Sequence, residues 1–231
     1  MTLPWPRNRT LPRALAAAIA QAPGLTATAA KRPLRCIVML SGGLDSVALL
    51  ANLLSATPHH VHAHHIEIDN FERRALPEND ALARVLSYLR VHHRAFDYSA
   101  SASSFPIGKG GGYDLTLSLF VAARLCTALG GNIDAVFTGH RDTNFKILSE
   151  GAAVFHACFI QKRTHPQWVR PLASMPKGDI AASIPPALAR LSWSCRKPRD
   201  LDPPPPAPAP AYAPCGVCHA CRELATLTPQ P

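Results

Sequence analysis

Nowhere in the 231 residues is there an uninterrupted apolar run approaching the roughly 20 residues that cross a bilayer, so an integral helical membrane protein is excluded. Acidic side chains are scarce: 15 Asp and Glu stand against 24 Lys and Arg, a net charge of +9 at pH 7. That excess draws ATP, RNA or DNA through its long-range field without choosing among them. The chain also lacks a long basic arm, because its cations are scattered through Arg7, Arg9, Arg13, Lys31, Arg32, Arg35, Arg73, Arg74, Lys162, Arg163, Arg196, Lys197 and Arg199. Nucleic acid is therefore a possible partner but not the favoured one. Cysteine is not arranged for a disulfide framework, since the seven are odd in number and four gather near the C-terminus. Such usage indicates metal ligation in a reducing compartment, with the cytoplasm as the expected location. Arg7, Arg9 and Arg13 followed by residues 14–20 weakly imitate a secretory signal, but that stretch is short and alanine-dominated.

A hydrophobic content of 47% and a mean hydropathy of +0.02 suit a soluble globular chain long enough for one good core. Residues 1–34 read as an N-terminal extension, with Pro4, Pro6 and Pro12, one alanine-rich helix over 14–21, and a stop at Pro23-Gly24. From residue 35 the rhythm is strand, helix, strand. Strands are expected at 35–40, 61–68, 92–98 and 135–138, and helices at 45–54, 78–89 and 115–129. This alternation implies an α/β fold, Rossmann-like, with a mostly parallel sheet covered by helices and ligands at the C-terminal ends of its strands. Residues 35–190 form the nucleotide-binding domain of this reading, and residues 191–231 a small C-terminal zinc-binding segment with a Pro-rich insertion at 203–210. Five histidines at 59, 60, 62, 64 and 65 suggest a metal site, but alternation puts them on opposite faces, so they read as strand-edge histidines.

The chain is organised around residues 36–50, where a branched apolar run meets Ser41-Gly42-Gly43-Leu44-Asp45-Ser46 and a helical pattern begins at Val47. Glycines admit backbone angles barred to other residues and leave room for a ligand, and the new helix offers unpaired N–H groups and its positive dipole end. These features make a phosphate cradle over Ser41, Gly42, Gly43, Leu44, Asp45 and Ser46. It is not a Walker A loop, for the Gly-Lys-Ser/Thr ending is missing. Two further loops can serve the same ligand. One is the glycine-rich stretch with Lys109, just before a helix; the other is Thr138-Gly139-His140-Arg141-Asp142, after a strand, where His140 can carry a proton, Arg141 can bind phosphate and Asp142 can bind magnesium. At the C-terminus, Trp193-Ser194-Cys195 and Cys215-Gly216-Val217-Cys218-His219-Ala220-Cys221 supply four thiols that can close a tetrahedral site for zinc, with an iron–sulfur centre as the alternative. Cys36, Cys126 and Cys158 sit in apolar segments and read as core or incidental thiols.

The Ser-Gly-Gly-x-Asp-Ser loop resembles that of the ATP pyrophosphatase (PP-loop) superfamily. Together with Trp-Ser-Cys and the terminal Cys-Gly-x-Cys-x-x-Cys, it resembles the 7-cyano-7-deazaguanine synthase family over about four fifths of the chain. That resemblance implies ATP- and Mg2+-dependent conversion of 7-carboxy-7-deazaguanine and ammonia to the nitrile, as in queuosine biosynthesis, by way of an adenylate and an amide. It also implies Zn2+ on Cys195, Cys215, Cys218 and Cys221, with no membrane partner and room for a homodimer. Ser41, Gly42, Gly43, Asp45 and Ser46 would hold phosphates, and Asp45, Ser46, Lys109, His140 and Asp142 are the candidate catalytic residues. The middle of the chain departs from the family. Gly111-Gly112-Tyr113-Asp114 stands where Pro-Gly-Arg-Asn is usual, and Asn70-Phe71-Glu72-Arg73-Arg74 is a loose counterpart of Tyr-Gly-Gln-Arg-His. Two other classes fit these residues: a tRNA-modifying PP-loop enzyme, suggested by Thr138-Gly139-His140 and the positive charge, and a repurposed nucleotide-binding protein that does no chemistry.

Overall fold

The computed structural model describes residues 10–22, 25–104, 113–141, 144–160, 165–202 and 212–227. Lys109, Asp142 and the whole Pro-rich insertion at 203–210 lie outside the described residues. Among those described, no helix is long and apolar enough to cross a membrane.

Two helices, α1 (Thr10–Gln21) and α2 (Leu25–Ala29), precede the alternating part of the chain. That part runs β1 (Arg35–Met39), α3 (Leu44–Ala56), β2 (His60–Asp69), α4 (Ala75–His92), β3 (Asp97–Ser104), α5 (Tyr113–Ala128), β4 (Ala135–Thr138), α6 (Phe145–Ala157) and β5 (Gln167–Val169). The five strands form one wholly parallel sheet in the order β3-β2-β1-β4-β5. The chain therefore winds outward from β1 to β3, then returns through α5 to the other side of β1. Between β1 and β4 the winding reverses, which is where a crevice forms outside the carboxyl ends of the strands of such a sheet.

Alternation along β1 divides the core. Cys36, Val38 and Leu40 face a cluster that includes Leu49, Leu53, Val85 and Leu89, whereas Ile37 and Met39 face one with Leu119, Cys126 and Phe155. The first cluster also contains Leu11, Leu15 and Ile19 of α1, spaced at four residues so that one stripe meets α3 and the short helix α7 (Lys177–Ala182). The N-terminal segment thus contributes to the main core of the nucleotide-binding part.

The third strand departs from expectation. Residues 92–96 do not belong to it: α4 continues to His92, because its buried stripe runs on to Leu89, whose carbonyl accepts from the His93 N–H at the cap. The strand comes later, at Asp97–Ser104, and is made of small residues. Its register explains this composition, since His62, His64 and His65 lie opposite Asp97, Ser99 and Ala100. Ser99 Oγ is 2.7 Å from both His62 Nε2 and His64 Nδ1, and Ser101 Oγ is 3.0 Å from His64 Nε2. The histidines are accordingly not at a sheet edge, for β2 lies between β1 and β3. His64 and His65 are buried, and desolvation pushes His64 down to about 4, keeping it neutral at physiological pH. His65 Nδ1 donates to the Leu40 carbonyl at 2.9 Å and so braces the point where β1 becomes the loop.

After β5 the chain forms α7, α8 (Pro186–Leu191), a small antiparallel pair β6 (Arg199–Asp200) and β7 (Tyr212–Ala213), and α9 (His219–Ala225). None of these elements, nor α6 and β5, is apparent from apolar periodicity. If α1 is an integral part of the core, Leu15→Ala should lower the unfolding free energy by about 2–5 kcal/mol in urea titrations. The exposed neighbour Arg13→Ala should change it by less than about 0.5 kcal/mol.

Candidate nucleotide cleft and thiol site

The crevice between β1 and β4 opens into a cleft of about 670 Å³, lined by Ser41, Gly43, Leu44, Asp45 and Ser46 on one side and by Thr138, Gly139, His140 and Arg141 on the other. The first loop is tightly hydrogen-bonded. Ser46 turns its hydroxyl inward, accepting from Ser41 N–H at 3.1 Å, donating to the Gly43 carbonyl at 3.1 Å and lying 3.1 Å from Ser41 Oγ. Gly42 has φ +79°, a left-handed conformation, and a Cβ there would lie 3.3 Å from the Glu78 carbonyl oxygen. The loop ends in α3 with an extended Gly43 and no side chain of its own capping the helix, so the first N–H groups face the cleft or borrow partners. That arrangement suits an anion.

Asp45, in the first turn of α3, directs both carboxylate oxygens at Lys177 Nζ, each at 2.8 Å. Lys177 comes from the start of α7, is almost wholly buried and lines the cleft. It was not singled out from sequence, because its partner is 132 positions away. The only local signal was a lone lysine before an apolar helix. Of the second loop, His140 and Arg141 reach the cleft, and Arg141 is oriented by Glu223 Oε1 at 2.6 Å and the Met175 carbonyl at 3.2 Å.

A charged wall borders the cleft as well. Arg74 is buried with Glu72 Oε2 and Glu78 Oε1 each at 2.7 Å, and its Nη2 meets Asp114. Arg196 bridges Glu72 at 2.9 Å and Asp114 at 3.0 Å. Burial pushes the Glu78 carboxyl up to about 7 against the pull of Arg74. Asp114 gains from its place in the first turn of α5. Met39, Ile66, Ile68 and Leu115 add an apolar floor to the cleft.

Beside the cleft, the Sγ atoms of Cys195, Cys215, Cys218 and Cys221 all lie within 4.8 Å of one another. The β6–β7 pair, with Arg199 opposite Ala213, brings the chain back so that Cys215 meets Cys195 despite the insertion. Gly216 at φ +73° turns the Cys-Gly-Val-Cys segment. Cys215 Sγ accepts backbone N–H groups from Val217 at 3.4 Å and Cys218 at 3.2 Å, while Cys195 Sγ accepts from Lys197 and Cys215. Donors aimed at sulfur favour thiolate: the Val217 N–H is the main cause that brings Cys215 down to about 6, whereas burial pushes Cys221 up to about 12. A single ion with Zn–S bonds of about 2.3 Å needs sulfurs about 3.8 Å apart, and this set fits that demand. Cys36 and Cys126 are buried in the core, as their apolar surroundings suggest.

Two measurements check these assignments. Gly139 has no room for a side chain, since a Cβ would lie 2.8 Å from Ser46 N, an atom of backbone. Gly139→Ala should therefore displace the start of α3 and weaken nucleotide binding by about tenfold or more by calorimetry. Cobalt substitution should give the intense charge-transfer absorption of a tetrahedral tetrathiolate, and Cys215→Ser should shift and weaken that band.

The asparagine synthase family model matches residues 27–104, about a third of the chain, spanning β1, the Ser41–Ser46 loop and β3. No curated protein matches the chain. Among solved structures, it is similar to the U34-tRNA thiolase NcsA from Methanococcus maripaludis with its 4Fe-4S cluster. Sequence identity is 14% and the TM-score 0.47, covering 80% of this chain and 61% of that one. The stretch that carries the phosphate loop is thus similar to an ATP-using domain of the PP-loop superfamily.

Proposed function

We propose that the chain is an ATP-dependent ligase that activates the carboxylate of 7-carboxy-7-deazaguanine, or of a related 7-deazaguanine base, as an acyl-adenylate and passes it to ammonia. The observation that carries this reading is the juxtaposition, in one cleft, of the Ser41–Ser46 loop with its Asp45–Lys177 pair and an apolar floor bounded by carboxylates. The loop's free N–H groups and the Lys177 ammonium neutralise charge on the departing pyrophosphate, with Mg2+ supplying the remaining neutralisation when bound. A carboxylate oxygen forms a bond to the α-phosphorus as the bond to the β-phosphate oxygen breaks. Ammonia then attacks the acyl carbon and AMP leaves, giving the amide and releasing a proton. The nitrile requires a second adenylation, on the amide oxygen.

The apolar floor would accept a flat ring, and Asp114 and Glu78, which also line the cleft, would accept from ring N–H groups. Hydrogen bonding of this kind distinguishes a guanine-like edge from one lacking donors. His140 and Arg141, at the cleft rim, are placed to serve proton transfer and phosphate contact. Zinc suits the four thiols because a closed set of soft donors matches a structural ion, and it leaves no open position for chemistry.

The test is turnover of ATP with 7-carboxy-7-deazaguanine and ammonium, separating AMP from ADP and weighing the base product. Base-dependent AMP release with an amide or nitrile is the expected result. Asp45→Ala and Lys177→Ala should each lower kcat by about 10²-fold or more while keeping the circular dichroism of the parent. AMP release that depends on tRNA and not on the base would overturn the substrate assignment in favour of RNA modification. Nucleotide binding with no AMP from either would indicate a protein repurposed for binding.

A further inference from the structure

We infer that Trp193-Ser194-Cys195 couples the thiol site to the phosphate loop, so that metal and nucleotide strengthen each other's binding, with Ser194 as the positioning residue. The inference rests on the reading above only in taking the loop as the nucleotide site and the four thiols as the metal site.

The tripeptide is hydrogen-bonded to the loop on both sides of Gly43. Trp193 N–H donates to the Gly42 carbonyl at 2.9 Å, and Ser194 Oγ accepts the Leu44 N–H at 3.2 Å. Leu44 opens α3, so its N–H is one of the groups that an α-helix leaves without an internal partner. Ser194 caps it from 150 positions away. The tripeptide also packs against Gly43, where a Cβ would meet the Trp193 carbonyl oxygen at 3.5 Å and Ser194 Oγ at 3.7 Å, ordinary contact distances.

The next residue is a candidate metal ligand. Cys195 is buried, its sulfur already accepts two backbone N–H groups, and its carbonyl accepts Trp193 Nε1–H at 3.0 Å, which stiffens the tripeptide. Two more connections leave the thiol site for the cleft. Arg196 grips Glu72 and Asp114 in the charged wall, and Glu223 of α9, two residues from Cys221, holds Arg141 of the second loop. Cys195 and the Cys215–Cys221 segment are distant in sequence, and an ion bound to all four thiols would tie them together directly. A metal that fixes Cys195 also fixes Ser194, and hence the backbone geometry of residues 42–44 that a phosphate would meet. Linkage makes the effect reciprocal: whatever factor the metal adds to nucleotide affinity, the nucleotide adds to metal affinity.

The experiment starts from cobalt-loaded protein and follows transfer of cobalt to a chromophoric chelator, with and without saturating α,β-methylene-ATP, whose binding is verified by calorimetry. In the parent, the nucleotide should slow cobalt loss about fivefold or more. In Ser194→Ala the tetrathiolate band should be unchanged but the slowing should fall to less than about twofold, and Ser194→Thr, which keeps the hydroxyl, should restore it. Equal rates with and without bound nucleotide in the parent would overturn the coupling while leaving the enzymatic proposal intact. Full slowing in Ser194→Ala would overturn the role of Ser194. Failure of the nucleotide to bind at all would overturn both this inference and the nucleotide site. Should Ser194→Ala not fold, the parent's response and that of Ser194→Thr still decide.

Discussion

Parallel pairing of β1 with β4 is the constraint on which the cleft depends. Met39 lies opposite Thr138 in that register, so both strands end together and their loops leave side by side. The two loops then approach until Gly139 meets the backbone of Ser46, a distance at which no side chain fits. Everything else in the site is arranged around this contact. Ser46 folds its hydroxyl back on Ser41 instead of projecting it, His65 braces Leu40 from β2, and Lys177 reaches Asp45 from α7. The result is a loop pre-ordered before any ligand arrives, which lowers the entropy that binding must overcome.

The charged wall obeys a different logic. Three carboxylates converge on the buried Arg74, with the more exposed Arg196 bridging two of them, and the desolvation of the buried groups consumes much of what their attraction contributes. A cluster of this kind is weak evidence for stability. Its value lies in orientation: Arg74 pairs with Glu72, Glu78 and Asp114 at once, fixing carboxylates of which Glu78 and Asp114 line the cleft. Removing Arg74 would leave those negative charges with only Arg196, so the wall stands or falls as a unit.

The strand–loop–helix at residues 35–56 was legible because every signal there is local: a branched apolar run, two glycines, and an apolar stripe with helical spacing. The thiol set was legible for the same reason, since three of its four members fall within seven consecutive residues. The sequence was opaque where a residue's environment is set by a distant neighbour. Ser99 and Ser101 occupy β3 because small hydroxyl residues accommodate the histidines of β2, and an apolar-pattern reading passes over such a strand. The same blindness hid Lys177, whose meaning depends on Asp45, and the wall, where Glu72, Arg74, Asp114 and Arg196 have no shared motif. Leu11, Leu15 and Ile19 had the spacing of a core-facing helix, but the prolines around them drew attention to the segment as an extension.

The C-terminal tail raises a question of sufficiency. Helix α9 has seven residues, too few to persist by its own hydrogen bonds, and the apolar contacts of its thiol cluster involve only a few residues. Yet His219, Ala220 and Glu223 of that helix form part of the cleft wall. Its position must therefore come from outside it: from the Arg141–Glu223 pair, from Leu224 against the main core, and from ligation at Cys218 and Cys221. The ion pair is partly exposed and contributes little. Ligation, were an ion bound, would be the largest of the three, because a structural metal contributes folding energy directly to the segment that binds it. A wall built on such a helix would then be complete to the extent that the thiols are joined, and the state of the tail would set the completeness of the cleft.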